Sequence, residues 1–145
     1  MWRELTETDL AATIAQSEID AYRRSGPLDG ADPVVLLLDR TAELVRSWIS
    51  CNGGVRLGPV KTIPEGLISP AMDYAAADLL KRIGRPLTED RRRARERAEV
   101  LFEKIAQGVF KPESYNPDGD AGAADLTRPV TAPSFAEPRP ERLLD

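Results

Sequence analysis

Apolar residues recur every three or four positions along most of the chain before residue 108. Residues at this spacing lie on one face of a helix, so the pattern predicts helices that each bury one side. We therefore predict an all-α fold, a small bundle of four to five helices. The predicted helices cover residues 7–15, 18–25, 33–52, 70–83 and 89–107.

The stretch Thr62–Gly84 predicts the central helix of this bundle. Ser69 is expected to cap it, Pro70 to occupy its first position, and Gly84 to end it. Small side chains on its buried face would let neighbouring helices approach closely. The apolar positions that form this face are Met72, Ala75, Ala76, Leu79, Leu80 and Ile83.

Capping residues mark the starts of the other helices. Thr6 and Ser17 are each followed by a carboxylate three residues later, Asp32 precedes a proline, and Thr88 precedes two acidic residues. Such residues satisfy the free amides of a first helical turn. We interpret the N-terminal carboxylates as caps rather than as a metal or acid–base site. They are Glu7, Asp9, Glu18 and Asp20.

Residues 53–68 form a long loop without a helical period. Two short apolar segments, 55–57 and 60–63, flank Gly58-Pro59 and could form a hairpin. Loops of this length in compact helical domains are often functional. A simple connection between two helix ends is the open alternative.

The composition changes at Lys111. Half of the twelve prolines follow it, and no helical or strand period continues. Such a segment cannot bury enough apolar area to fold alone. We predict a helical domain over 1–111 and an extended C-terminal arm over 112–145 that partner subunits hold. Its expected anchors are Phe135, Leu143 and Leu144.

Composition excludes several classes of function. The chain has a net charge of -4, no histidine and a single cysteine, Cys51. Without histidine, the commonest general base and zinc ligand are missing, and an enzyme is the least supported class. The start of the chain does not resemble a signal peptide, and the longest apolar run, Val34–Leu38, is too short to cross a bilayer. We expect no membrane partner.

The predicted helix 89–107 carries many arginines, interleaved with glutamates. They could face the phosphates of DNA in a non-specific, salt-sensitive contact. They could equally form a solvated face, with pairs four residues apart such as Glu89–Arg93, Arg92–Glu96 and Arg95–Glu99. Trp2, outside any predicted helix, is the better of the two tryptophans for contact with a neighbouring molecule.

Several segments occur in the same order as in a known family. They are Leu5–Leu10, Glu18–Arg23, the helix that begins after Asp32, Ile63–Ala75 (IPEGLISPAMDYA) and Glu89–Arg92. The chain resembles the small helical neck proteins of tailed bacteriophages and prophages, the head-to-tail connector family of adaptor or head-completion proteins, including Mu-like neck proteins. The resemblance covers residues 5 to 117 and rests on structural motifs rather than catalytic ones.

The resemblance implies a structural role without catalytic, cofactor-binding or metal-binding residues. Such proteins form a homo-oligomeric ring, typically of twelve copies, below the portal protein. The ring extends the DNA channel and meets the stopper or tail-completion protein, and the C-terminal segment reaches the portal. The expected location is the neck of the virion, after assembly in the cytoplasm of the bacterial host.

The resemblance and the patterns together give candidate contact residues. We expect a ring neighbour to contact the loop through Val55, Arg56, Leu57, Ile63 and Leu67, and DNA in the channel to lie near Arg91, Arg92 and Arg95. The alternative is a small helical DNA-binding module, a packaging subunit or a regulator, that uses the basic helix 89–107.

Overall fold

The computed structural model describes residues 1–26 and 30–117. The first compact unit runs from Met1 to Tyr115. The predicted helical bundle is confirmed, with one small sheet added. Its helices are α1 (Glu7–Ala11), α2 (Gln16–Arg24), α3 (Pro33–Ser50), α4 (Ile68–Arg82) and α5 (Glu89–Ala106), and its strands are β1 (Trp2–Glu4) and β2 (Thr62–Pro64).

Helix α4 lies at the centre of the unit, as predicted. It packs against α5 and α3 on its long sides and also contacts α1 and α2. Ala75, Ala76 and Ala77 are buried, and their small side chains permit this close approach. The last helical residue is Arg82, and Gly84 just beyond it has a φ of 75°, a left-handed conformation that glycine adopts without strain.

Three of the predicted caps are confirmed. Thr6 and Asp9 form a reciprocal capping box at α1. The Asp32 carboxylate accepts from the amide of Val34 at 3.0 Å, and the Thr88 hydroxyl accepts from the amide of Arg91 at 3.3 Å. These contacts satisfy amides that have no partner within the first turn.

Two predicted caps are wrong. Ser17 lies inside α2, because the helix begins at Gln16, two residues before the predicted start, and the Glu18 carboxylate accepts from the amide of Ala15 at 3.1 Å. Ser69 and Pro70 lie inside the first turn of α4, which follows directly on a short 3-10 turn, Glu65–Leu67. Proline fits there because the first amides of a helix make no intrahelical bond.

The hairpin considered within the loop does not form. Strand β2 instead pairs antiparallel with β1, with Trp2 opposite Pro64 and Glu4 opposite Thr62. The pairing places Trp2 in the core at 8% exposure, beside the fully buried Ile63. The expectation that Trp2 contacts a neighbouring molecule is therefore corrected, since its ring packs within its own chain.

The first compact unit extends past the predicted domain boundary at residue 111. Residues 112–115 belong to it, and Pro112 is buried. Within the described residues, no helix is both long and apolar enough to cross a bilayer.

Candidate interaction site

The long loop is fastened to the bundle by Arg46 of α3. The guanidinium donates to the carbonyls of Pro59 at 2.8 Å, Thr62 at 2.9 Å and Gly58 at 3.1 Å. Three carbonyls of one turn thus share a single charged donor group, and hydrogen bonds from a charged group are stronger than neutral ones. The turn is held in one conformation against α3.

The tip of this turn remains exposed. Val60 is 71% exposed, and Lys61 has a φ of 71°, a left-handed conformation that is rare for a residue with a side chain. The Lys61 ammonium lies 3.3 Å from the Asp39 carboxylate. The turn therefore presents an exposed apolar residue beside a strained one, and Arg46 and Asp39 of α3 hold it in place. Such an arrangement is typical of a binding loop. We call Val60 and Lys61 the loop tip.

The C-terminal end of the unit is bound to the N-terminal strand and to the loop. The indole N–H of Trp2 donates to the carbonyl of Glu113 at 2.9 Å, and the amino group of Met1 pairs with the Glu113 carboxylate. The amide of Tyr115 donates to the carbonyl of Arg56 at 2.8 Å, and the amide of Arg56 donates to the Ser114 hydroxyl at 3.1 Å. We call Pro112–Tyr115 the exit segment.

Gly58 lies where these parts meet. A Cβ atom there would come within 2.9 Å of Tyr115 Cδ1 and 3.0 Å of Trp2 Cε3. The rings of Trp2 and Tyr115 stand edge to face, with centroids 6.4 Å apart. A side chain at position 58 would have to displace one of these two rings, so the close approach of the loop requires glycine.

Three of the five expected ring-neighbour residues belong to the chain's own core. Val55 is 9% exposed, Leu67 3% and Ile63 0%. Their side chains are not available to a neighbouring subunit, and the expected contact is corrected for these three. Arg56 is exposed and Leu57 is half-buried, so the loop retains surface at these positions.

The expected DNA-facing arginines all have partners within the chain. Arg91 donates to the carbonyl of Thr13 at 3.2 Å, Arg92 donates to Glu89 at 2.6 Å, and the guanidinium of Arg95 stacks 4.7 Å above the centre of the Tyr74 ring. The contacts of Arg91 and Arg95 connect α5 to the rest of the bundle, whereas the Arg92–Glu89 pair lies within α5.

Of the ion pairs predicted along this helix, the structure forms Glu89–Arg93, at 3.3 Å. Because Arg92 turns to Glu89 and Arg95 to Tyr74, the pairs with Glu96 and Glu99 are absent among the described residues. The prediction of those two pairs is wrong.

Two of the four N-terminal carboxylates are caps, as predicted: Asp9 accepts from the amide of Thr6 and Glu18 from that of Ala15. Glu7 and Asp20 instead bond the side chains of Arg23 and Gln16, so the prediction that they cap a helix is wrong.

Arg3 donates to both oxygens of Asp9 at 2.9 Å, which lowers the pKa of Asp9 from 3.8 to about 2. Arg23 bonds Asp32 at 3.0 Å and Glu7 at 2.7 Å, and these bonds lower the pKa of both carboxyls. Together they connect α1, α2 and the start of α3.

Burial raises the pKa of Asp73 on α4, and the charges of Arg97 and Arg91 oppose that shift. Within residues 1–26 and 30–117, no group of three histidine, cysteine or carboxylate side chains is placed to hold a metal ion. The arm anchors predicted at Phe135, Leu143 and Leu144 lie outside the described residues.

Sequence reasoning missed the residues that build this site. No pattern in the sequence predicts the roles of Arg46, Glu113 and Tyr115. The Trp2–Glu113 hydrogen bond joins residues 111 positions apart, and no local pattern indicates such a pairing. The position of Trp2 outside any helix was the one available signal.

Comparison with known proteins adds no relative: no family model, curated protein or solved structure matches the chain.

Proposed function

We propose that this chain is a structural protein of a tailed-phage neck. It forms a ring, typically of twelve copies, below the portal, extends the DNA channel and links the capsid to the stopper or tail. It belongs to the virion and assembles in the cytoplasm of the bacterial host. The proposal assigns no catalytic, cofactor-binding or metal-binding residue. The proposal rests first on the sequence motifs within residues 5–117, which occur in the same order as in that family. The fold contains the helices predicted for these residues.

The structural observation that carries the proposal is the anchored exit segment. Bonds to Trp2 and Arg56 hold Glu113 and Tyr115 against the bundle. The remainder of the chain, rich in proline, therefore begins at a fixed point of the helical unit. An arm that reaches the portal from every subunit of a ring needs such a fixed origin, because a mobile origin would lower its effective concentration at the portal.

The loop tip supplies a surface for a neighbouring subunit. Val60 is exposed and apolar, and Arg46 holds its turn in place. A rigid loop loses little conformational freedom on binding, which favours its use as a contact. In this proposal the loop tip and Arg56 take the role first assigned to Val55, Ile63 and Leu67.

No specific observation in the described part of the structure favours the alternative, a DNA-binding module. Its candidate residues Arg91, Arg92 and Arg95 are occupied by Thr13, Glu89 and Tyr74. Contact with packaged DNA would then be non-specific and secondary to assembly, and we propose it only in that form.

The test is to mix the purified chain with the portal protein it serves and to image the complex by negative-stain electron microscopy. A ring on one face of the portal is expected. A parallel titration with duplex DNA addresses the alternative. Tight binding with a steep salt dependence, together with no association with the portal, would replace the proposed role with the DNA-binding one.

A further inference from the structure

From Arg93 onward, the solvent-facing charges of α5 are divided by sign between two sides of the helix, whereas in its first turn Arg92 lies on the acidic side and Asp90 on the basic side. Side chains three, four or seven residues apart lie on one side of a helix. The acidic flank consists of Glu96, Glu99 and Glu103, and the basic flank consists of Arg93, Arg97 and Lys104. Val100, 48% exposed, lies between the two flanks.

The acidic flank is not neutralised within the described residues. Glu96 and Glu99 lose their expected partners because Arg92 pairs with Glu89 and Arg95 stacks on Tyr74. No basic group in the described part of the chain forms a salt bridge with them or with Glu103. Three carboxylates thus remain on one side of the helix.

The basic flank is only partly neutralised. Arg93 pairs with Glu89 at 3.3 Å, and Arg97 interacts with the half-buried Asp73 without forming a salt bridge. Lys104 has no carboxylate within salt-bridge distance among the described residues. Each flank therefore carries charge that an opposite surface could neutralise.

We propose that α5 forms the lateral contact between copies of this chain, with the acidic flank of one copy against the basic flank of the next. The proposal rests on the proposed ring and specifies its surface. A head-to-tail interface needs two different, complementary patches on each subunit, and it closes into a ring when the rotation allows. Helix α5 carries both patches.

A second copy fits this surface better than nucleic acid does. The two flanks contain three groups of each sign and match each other, whereas the acidic flank would repel phosphates. Exposed ion pairs contribute little affinity individually, so their role here is to choose the partner surface and its register, while apolar contacts such as the loop tip add affinity.

Charge reversal tests the contact on the purified full-length chain by sedimentation velocity and native mass spectrometry. One variant reverses the acidic flank (Glu96→Lys with Glu99→Lys), and the other reverses the basic flank (Arg97→Glu with Lys104→Glu). We expect the wild type to oligomerise at low salt and each variant alone to need at least a tenfold higher concentration. An equimolar mixture of the variants should recover wild-type association, because unlike flanks meet again in an alternating ring.

Matched controls separate this effect from net charge and from unfolding. Glu4→Lys with Glu43→Lys changes the net charge as the acidic-flank variant does, at exposed positions away from α5, and should associate like the wild type. Circular dichroism should show that all variants are folded at the temperature of the association measurements. The basic-flank variant should melt at a lower temperature than the others, because Arg97→Glu replaces a favourable charge near the half-buried Asp73 with a like one.

Four outcomes would overturn the assignment. They are a wild type that stays monomeric at every concentration, variants that associate like the wild type, a mixture that associates no better than its components, and an assembly that stops at a dimer.

The same variants, mixed with the portal, distinguish failure of the α5 contact from failure of the proposed function. If the charge-reversed variants form the same rings on the portal as the wild type does, the α5 contact alone is refuted. If the wild type never binds the portal, the proposed function is refuted.

Discussion

The indole N–H of Trp2 donates to the carbonyl of Glu113 at 2.9 Å, so the two ends of the helical unit meet. The same indole packs edge to face with Tyr115 and lies against Gly58 of the loop. The start of the chain, the loop and the exit segment are therefore one packed structure. A change in any one of the three should alter the packing of the other two.

Gly58→Ala should destabilise the unit by about 1–3 kcal/mol, since the added methyl group overlaps a well-packed ring contact. The displaced neighbour would be Tyr115 Cδ1, 2.9 Å from the new Cβ. Thermal or urea unfolding measures the loss. Gly53→Ala is the matched control, because nothing lies within 4 Å of a Cβ at that position. Equal effects of the two substitutions would refute the close approach.

Two truncations separate the exit segment from the arm. A chain that ends at Pro117 should melt like the full-length protein but dock less well on the portal. A chain that ends at Lys111 should be less stable by about 1–3 kcal/mol, because the Trp2 indole and the Arg56 carbonyl lose their partners. Calorimetry of both chains decides this. If both truncations melt alike, the exit segment does not stabilise the bundle.

Most of the fold follows from patterns along the chain. Helices α3 and α5 begin at their predicted caps because Asp32 and Thr88 supply oxygen acceptors for the first amides. The start of α4 was misplaced because Pro70 fits anywhere in a first turn and does not mark its first residue. Local chemistry predicts that a helix exists better than it predicts where the helix begins.

The candidate site was harder to predict because its contacts join distant parts of the chain. Strand β1 has only three residues, and its partner β2 lies near the middle of the sequence. Ile63 was expected in a loop and at the surface, but it lies in strand β2 and is fully buried, since a buried strand residue and an exposed apolar contact have the same local pattern. Arg46 bonds backbone carbonyls. Because every residue has a carbonyl, the sequence gives no signal of which ones an arginine contacts.

Acid should weaken the bundle through Asp9. Its pKa falls from 3.8 to about 2 because Arg3 and the Thr6 cap stabilise the ionised form. A carboxyl with a lowered folded-state pKa stabilises the fold above its unfolded-state value, and this contribution is lost as the pH falls toward 2. The loss should be about 2 kcal/mol.

Urea unfolding between pH 5 and pH 2 measures that loss. Asp9→Asn should be less stable near neutral pH and should depend less on pH in this window. Asp90→Asn, an exposed change of the same kind in the first turn of α5, provides the control. If Asp9→Asn keeps the acid dependence of the wild type, the Arg3–Asp9 bond does not cause it.

Leucine truncation should rank two helices by burial. Leu79→Ala in α4 should cost about 2–5 kcal/mol, because the side chain is fully buried at the centre of the bundle. Leu101→Ala in α5 should cost less, since Leu101 is only half-buried at the edge of the core. Thermal unfolding measures both losses, and equal losses would contradict the different burial of the two side chains.

We propose that this chain is a ring-forming neck protein, and the mass of its complex with the portal tests this proposal most directly. Native mass spectrometry of the full-length chain mixed with assembled portal should give one dominant species, in which a full closed ring of chains is added to the portal. A chain that remains monomeric while intact portal is present at excess would contradict the account.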